Sequence, residues 1–292
     1  MPITKFICPN ANKTNVQTCL AGCPFGIRCM GKPTLKTLAN SVADRGLSKY
    51  SVTELISGTL EQYLKRTEEY AVNPQDLVFA MHGTAIHALC EKNSSQNILT
   101  ELRLENDLYT GQIDCYGDVL GDGRNILLDY KVTSSYKAMT ALGFRSVNTP
   151  TGKIFKTGAR KGQPKTRKKW KNDGIRKIYE WALQVNAYRM LLEQNGYLVD
   201  DMYIQMYIRD YSLLTASNRN INRPIYLLKI NRISDTWLNR FFSAKKEALA
   251  KALATGALPA PCTKRETWNG RKCKNYCDVY DICQAYTMPA AS

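Results

Sequence analysis

Acidic side chains are in short supply in this chain of 292 residues, which has 25 Asp and Glu against 41 Lys and Arg and a formal charge of +16. That imbalance favours a polyanionic partner, DNA or RNA more readily than a membrane surface. No apolar run approaches the roughly 18 residues of a membrane span, so no membrane partner is expected. The opening MPITKFICPN lacks the apolar core of a signal peptide, and a cytoplasmic setting is the expectation. There is no glycine-rich nucleotide-binding loop, which argues against ATP-driven unwinding within the chain. Histidine is almost missing, with only His82 and His87. The rest is ordinary: 44% hydrophobic residues and enough length to bury a substantial core.

What stands out first is GQIDCYGDVLGDGRNILLDYK, residues 111–131. Gly121-Asp122-Gly123 tolerates positive φ, and Ile126-Leu127-Leu128 is a short apolar run, so the stretch reads as two strands joined by a tight turn. Strand side chains alternate, which puts Asp129 and Lys131 on one face and turns Tyr130 away. A hairpin can bring Asp114 opposite that pair. Two carboxylates can hold Mg²⁺, and a neighbouring lysine can orient or deprotonate an attacking water and offset charge building on a phosphate. Asp129-Tyr130-Lys131 is the only acidic-x-Lys triplet that closes an apolar run here.

Eight of the ten cysteines form two sets with identical spacing, C-x10-C-x3-C-x5-C: Cys8, Cys19, Cys23 and Cys29 near one end, and Cys262, Cys273, Cys277 and Cys283 near the other. A cytoplasmic chain argues against disulfides. Four thiolates in a compact loop suit tetrahedral Zn²⁺ or an iron–sulfur cluster. Cys90 and Cys115 are left over and read as small buried hydrophobes.

Along the rest of the chain, Ser51-Val-Thr-Glu54 has the form of a capping box at the start of a helix running through ELISGTLEQYLKRTEEY. A second helix follows Pro74 and puts Gly83 and His87 on one face. Residues 99–109 alternate as a strand. From 153 to 177 come eleven Lys or Arg and one acid, Asp173, which supplies +10 of the net charge. Gly152, Gly158, Gly162 and Pro164 break its periodicity, so a mobile basic loop is expected, with Lys165, Arg167, Lys168, Lys169 and Lys171 tracking phosphates and Trp170 able to stack on a base. Ile178, Trp181, Val185, Tyr188 and Leu192 recur at helical spacing, and Gln184 and Tyr188 share a face of that helix. Strands at 202–210 and 224–231 and a helix from Ser234 to Gly256 complete the reading.

Taken together, Gly-x-Ile-Asp, Leu-Leu-Asp-x-Lys, the upstream Gly83-x-x-x-His87 and the downstream Gln184-x-x-x-Tyr188 resemble the PD-(D/E)xK nucleases, in particular their RecB-like exonuclease branch. The family's Pro-Asp pair is here Ile113-Asp114. The resemblance spans about residues 80–190. It implies an α/β core of the restriction-endonuclease kind, with a mixed sheet flanked by helices over residues 40–257 and cysteine-rich modules at 1–39 and 258–292. It also implies Mg²⁺ or Mn²⁺ held by His87, Asp114 and Asp129, with the Tyr130 carbonyl able to join them. Lys131 would assist the nucleophilic water, and Gln184 and Tyr188 would position the DNA strand. The activity implied is hydrolysis of DNA phosphodiesters, by an exonuclease that resects ends for recombination or repair. Such enzymes occur in phages and mobile elements, where a phage annealing protein or other recombination partner accompanies them. The C-terminal cysteines resemble the tail of iron–sulfur RecB-like nucleases, which implies a 4Fe-4S cluster there and a second cluster or Zn²⁺ at the N-terminal set. Two residues separate the first cysteine pair of the family's tail and a single N-terminal cysteine is borrowed, so the complete second set here is a departure. The competing readings are a CRISPR-adaptation nuclease that trims DNA and a non-catalytic, zinc-stabilised DNA-binding module.

Overall fold

The computed structural model describes residues 4–40, 49–92, 95 and 97–287. Strands β1 (Lys5–Ile7) and β2 (Lys13–Asn15) pair antiparallel. Helix α1 (Val16–Ala21) follows at once, because the Asn15 side chain accepts from the free backbone N–H groups of Gln17 and Thr18. After α2 (Lys32–Asn40) come α3 (Val52–Ile56), α4 (Thr59–Thr67) and β3 (Ala71–Val72). Strand β3 lies parallel to β1 and completes a three-stranded sheet. Phe6, Val16, Cys19, Leu35 and Val72 form the small core beneath it. The N-terminal cysteine region therefore takes a strand from beyond residue 40, and residues 41–48, next to the expected border, lie outside the described ones.

The long helix expected from Ser51 is in fact two. The capping box forms as read, with Ser51 and Glu54 bonding each other's backbone N–H. The helix then stops at Ser57-Gly58. A Cβ on Gly58 would lie 2.3 Å from the Cys262 sulfur, so the chain turns where a cysteine from the far end of the sequence packs against bare backbone.

Helix α5 (Pro74–Glu91) carries His87, and β4 (Ile98–Glu105), β5 (Thr110–Gly117) and β6 (Ile126–Thr133) follow as an antiparallel meander. After α6 (Ser135–Ala141), capped by Ser134, the basic segment departs from expectation. It is a two-stranded ribbon, β7 (Phe144–Ile154) and β8 (Pro164–Asn172), rather than a loop. Its glycines and Pro164 sit near the tip or at a register break, where the ladder does not need them, and backbone pairing supplies the order that the side-chain pattern does not advertise.

Helix α7 (Tyr179–Gln194), strand β9 (Asp201–Ile208), the short α8 (Leu214–Ser217), β10 (Ile225–Ile230) and α9 (Asp235–Thr255) close the main body. The larger sheet has the order β10-β9-β6-β5-β4, with β9 parallel to β6 and the other neighbours antiparallel. The protein is thus mixed α/β, a mixed sheet flanked by helices. Ile113, Leu127, Ile204 and Leu228 from the sheet and Leu183, Leu191 and Phe242 from α7 and α9 are all fully or almost fully buried in one core. Helix α7 sits directly on β5, since a Cβ on Gly111 would lie 2.8 Å from the Tyr188 ring and 2.9 Å from Leu191. Helices α10 (Arg271–Tyr276) and α11 (Tyr280–Thr287) carry the last cysteines and pack on α4 and α9 through Val279, Leu64 and Leu249. Among the described residues no helix is long and apolar enough to cross a membrane.

Candidate metal centre

The ladder between β5 and β6 runs only from Gly117↔Ile126 to Cys115↔Leu128. One step further on, the two strands carry Asp114 and Asp129, and β6 continues alone against β9 as far as Thr133↔Ile208. Where the ladder ends, the Asp114 Oδ2 takes over as acceptor of the Tyr130 backbone N–H, at 2.8 Å. Two acids are thereby fixed at the mouth of an opening hairpin by the framework itself. Asp114 is 7% exposed and Asp129 1%.

Asp129 and Lys131 do share a face, and the Lys131 ammonium lies 2.7 Å from Asp129 Oδ2. The approach is close but poorly directed: neither Asp129 oxygen accepts a hydrogen bond among the described residues. Tyr130 turns the other way, edge-on to the rings of His87 and Tyr207. His87 reaches across from α5, with Nδ1 3.5 Å from Asp114 Oδ1 and 3.2 Å from Glu101 Oε1.

Glu101 is the residue that reading the sequence missed. It lies opposite Asp114 in the β4–β5 register, between the pairs Thr100↔Cys115 and Leu102↔Ile113. Its backbone sits at φ +52°, a left-handed conformation that is rare for a side-chain-bearing residue and that interrupts the ladder at this one position. Gln112 donates to its other oxygen. His87, Glu101 and Asp114 each offer a ligand atom within 4.8 Å of the others. Asp129 stands beside this trio rather than inside it.

Burial pushes the Asp114 carboxyl up to about 7, and the neighbouring Asp129 carboxylate pushes the same way; Lys131, His87 and the Tyr130 N–H pull against them. Asp129, buried and without a directed hydrogen bond, has the Lys131 ammonium beside it to offset its charge, and Asp114 next to it resists ionising. An imidazole with two carboxylates, His87, Glu101 and Asp114, is a donor set that can take a metal ion, with Asp129 beside it.

The remaining candidate residues lie on α7, on β8 and in the two cysteine regions. Gln184 Nε2 donates to the Tyr188 hydroxyl at 2.9 Å, joining the helix pair, and Tyr188 packs on Gly111 three residues before Asp114. Lys165, Arg167, Lys168, Lys169 and Lys171 all lie on β8, and Trp170 packs at the root of the ribbon against the main core. Among the described residues no disulfide joins any of the ten cysteines. Burial raises the Cys19 thiol, with Cys8, Cys29 and Cys23 adding to the shift and Arg28 opposing it; among the described residues the cysteines do not form a ligand group of the kind His87, Glu101 and Asp114 do. Cys262, Cys277 and Cys283 gather at a separate place, around Leu60, Leu64 and Val279. There burial again raises Cys262, with Cys283 contributing, and pushes Cys277 up to about 11. Of the two leftover cysteines, Cys115 is buried as expected, whereas Cys90 is half-buried with its sulfur 3.8 Å from the Tyr207 hydroxyl. No family model matches the chain, and no curated protein matches it significantly.

Proposed function

We propose that this protein is a metal-dependent DNA nuclease of the PD-(D/E)xK kind, in the RecB-like branch. The observation that carries the reading is the pair of buried acids at the point where β5 and β6 part, with Lys131 2.7 Å from one and His87 3.5 Å from the other. A meander joined to a parallel fourth strand holds them, which is the kind of mixed sheet the resemblance implies. Asp114, Asp129 and His87, with Glu101 as a further donor, would hold the cation. Bound there, a divalent ion supplies a Lewis acid for the phosphoryl oxygen and lowers the pKa of water. Lys131 orients the nucleophile and offsets charge that grows on the phosphate in the transition state. The Tyr130 N–H keeps Asp114 in place, and the Gln184–Tyr188 pair, rooted on Gly111, braces the strand that carries it.

The two cysteine sets are read as separate four-thiolate centres, the C-terminal one an iron–sulfur cluster and the N-terminal one a cluster or Zn²⁺. Cys19 lies in the small core of the N-terminal sheet, whereas Cys262, Cys277 and Cys283 border a different core, which supports two centres over one hybrid. After anaerobic purification, iron, zinc and sulfide analysis counts them. Cys8→Ser should lower only the N-terminal metal and Cys262→Ser only the C-terminal one.

The activity is tested with end-labelled linear DNA and closed-circular DNA in Mn²⁺. Release of nucleotides from linear DNA alone marks an exonuclease. No cleavage by the wild type, with DNA binding retained, would instead leave a non-catalytic DNA-binding module.

A further inference from the structure

The ribbon of β7 and β8 has two unlike faces. Its register pairs Arg145 with Lys171, Val147 with Lys169 and Thr149 with Arg167 on one side, and Ser146 with Trp170 and Asn148 with Lys168 on the other. Phe144 and Trp170, both even-numbered, pack on the main core at the root of the ribbon. At the root the odd-numbered face is therefore turned away from the core, and beyond it both faces are open; the odd-numbered one carries Lys165, Arg167, Lys169 and Lys171 on successive steps of a single strand. No acid occurs between residues 145 and 172. Arg145 is engaged by Asp173, but among the described residues none of those four is paired with a carboxylate. Lys153, Lys165, Arg167 and Lys169 line one concavity, beside a register shift between Pro150 and Ile154 that bends the ribbon.

We infer that this ribbon is a duplex-reading arm that lies in the major groove of double-stranded DNA, with its odd-numbered face against the phosphates. The inference rests on the nuclease reading in taking DNA as the polyanion. The major groove, about 12 Å wide, admits a two-stranded ribbon. Eleven residues of β7 at about 3.3 Å each reach about 36 Å, close to one turn of B-DNA at about 34 Å. Cations at every second residue of β8 recur about every 6.7 Å, a spacing suited to following a backbone and not to reading bases. The arm thus gives grip without sequence preference, and it gives the protein a preference for duplex over single strands.

The test uses the full chain in EDTA, so that no hydrolysis intervenes. The probes are a fluorescent duplex of about three helical turns and its separated strands, over a salt series. Lys165→Gln, Arg167→Gln and Lys169→Gln together should flatten the log–log salt slope on duplex by about 2.7, three contacts at about 0.9 each. The change Lys251→Gln on α9, outside the ribbon, should move it by less than about 0.5, and the slope on single strands should change far less than on duplex. The wild type should also protect guanine N7, which lies in the major groove, from methylation. An unchanged slope in the triple variant, equal losses on duplex and single strands, or unprotected N7 at saturation would each overturn the arm. Should the triple variant melt early, Arg167→Gln alone carries the same test at a slope change of about 0.9. Because binding is read without cleavage, a chain that shows these shifts but never cuts in Mn²⁺ defeats the nuclease reading alone. One that cuts with an unchanged slope defeats the arm alone.

Discussion

Two hairpins follow one another along this chain, in separate sheets, and are built on opposite principles. The β5–β6 hairpin has a turn of Gly121-Asp122-Gly123, only three ladder pairs and side chains buried on both faces. The β7–β8 ribbon has eight recorded pairs, almost no buried side chain and a face of uncompensated cations. Packing holds the first so firmly that it can carry two acids with little hydrogen bonding between them. Backbone pairing and two aromatics at the root hold the second. In the proposed nuclease the rigid hairpin would serve chemistry, where donors must not move, and the exposed one would serve grip, where position along DNA is averaged.

The division makes its largest prediction at Asp129. Asp129→Asn should lower Mn²⁺-dependent cleavage by about 10²–10⁴-fold while leaving duplex affinity in EDTA within about twofold of the wild type. The ribbon triple variant should do the reverse, raising the DNA concentration needed for half-maximal rate but keeping the rate at saturation. Single-turnover cleavage over a DNA series separates the two. If both variants lost rate and affinity together, the separation of chemistry from grip would be wrong.

The same contrast explains what could be read from the sequence. The β5–β6 hairpin announces itself, because an apolar run that ends in Asp-x-Lys leaves the charges nowhere to go but a site, and the Gly-Asp-Gly turn fixes how the strands meet. The helix carrying Gln184 and Tyr188 shows through its apolar period. Glu101 could not be found that way. In ILTELRLE it alternates with Leu102 and Leu104 alongside Arg103 and Glu105, which reads as a solvated strand face. Only the pairing register, and a backbone at φ +52°, put its carboxylate beside His87. The ribbon looks like a loop in the sequence for the converse reason, since its strands are held by the ladder and carry no apolar alternation to detect. The break falls at Ser57-Gly58, a local turn signal, while the packing of Cys262 on Gly58, from some two hundred residues away in sequence, has no local signal.

Asp114 gives a second, smaller test, of the rigid hairpin alone. Its folded pKa of about 7 lies above the ordinary carboxylate value, so the folded state holds the proton more tightly than the unfolded one. The stability this contributes is complete below about pH 4 and is lost as the pH rises through about 7. In metal-free protein, Asp114→Asn should therefore be more stable than the wild type by about 2–4 kcal/mol at pH 8 and nearly equal at pH 4. Mn²⁺ at about a hundred times its Kd should restore about 2.7 kcal/mol to the wild type and little to the variant. Mn²⁺ affinity should also rise with pH up to about 7 and then level off, as the proton ceases to compete. Chemical denaturation across pH, with and without Mn²⁺, reads all three. A wild type that is the more stable of the two at pH 8 without metal would remove the electrostatic account of the site.

Next in size is the contact that seats the rigid hairpin on its helix. Gly111→Ala gains strand propensity, worth about 0.5–1 kcal/mol. The new methyl meets Tyr188 at 2.8 Å and Leu191 at 2.9 Å, and Leu191 is fully buried while Tyr188 is 6% exposed. Neither can step aside, so overpacking at about 1–3 kcal/mol should win and the net change should be a loss. A loss of cleavage larger than the loss of stability would show that Tyr188 and Gln184 also hold the catalytic strand in register. A variant as stable and active as the wild type would mean that the helix yields.

The smallest effect belongs to the root of the ribbon. Trp170 is half-buried against the main core, and an isolated two-stranded hairpin is only marginally stable in water. Trp170→Ala should thus leave the main body nearly untouched, with a loss of about 1 kcal/mol or less in global unfolding. The ribbon amides should exchange faster, because a local opening that costs little becomes cheaper still. Hydrogen exchange followed segment by segment distinguishes the two hairpins directly. In wild-type protein, 144–172 should exchange well before 112–117 and 126–132, and Trp170→Ala should widen that gap from the ribbon side only. Duplex DNA in EDTA should slow exchange in 144–172 and leave the buried hairpin unchanged, since grip orders the arm while the site is ordered already. If Trp170→Ala instead lowered global stability as much as Gly111→Ala, the ribbon would belong to the same cooperative unit as the catalytic hairpin, and the contrast between a rigid site and a separable arm would collapse.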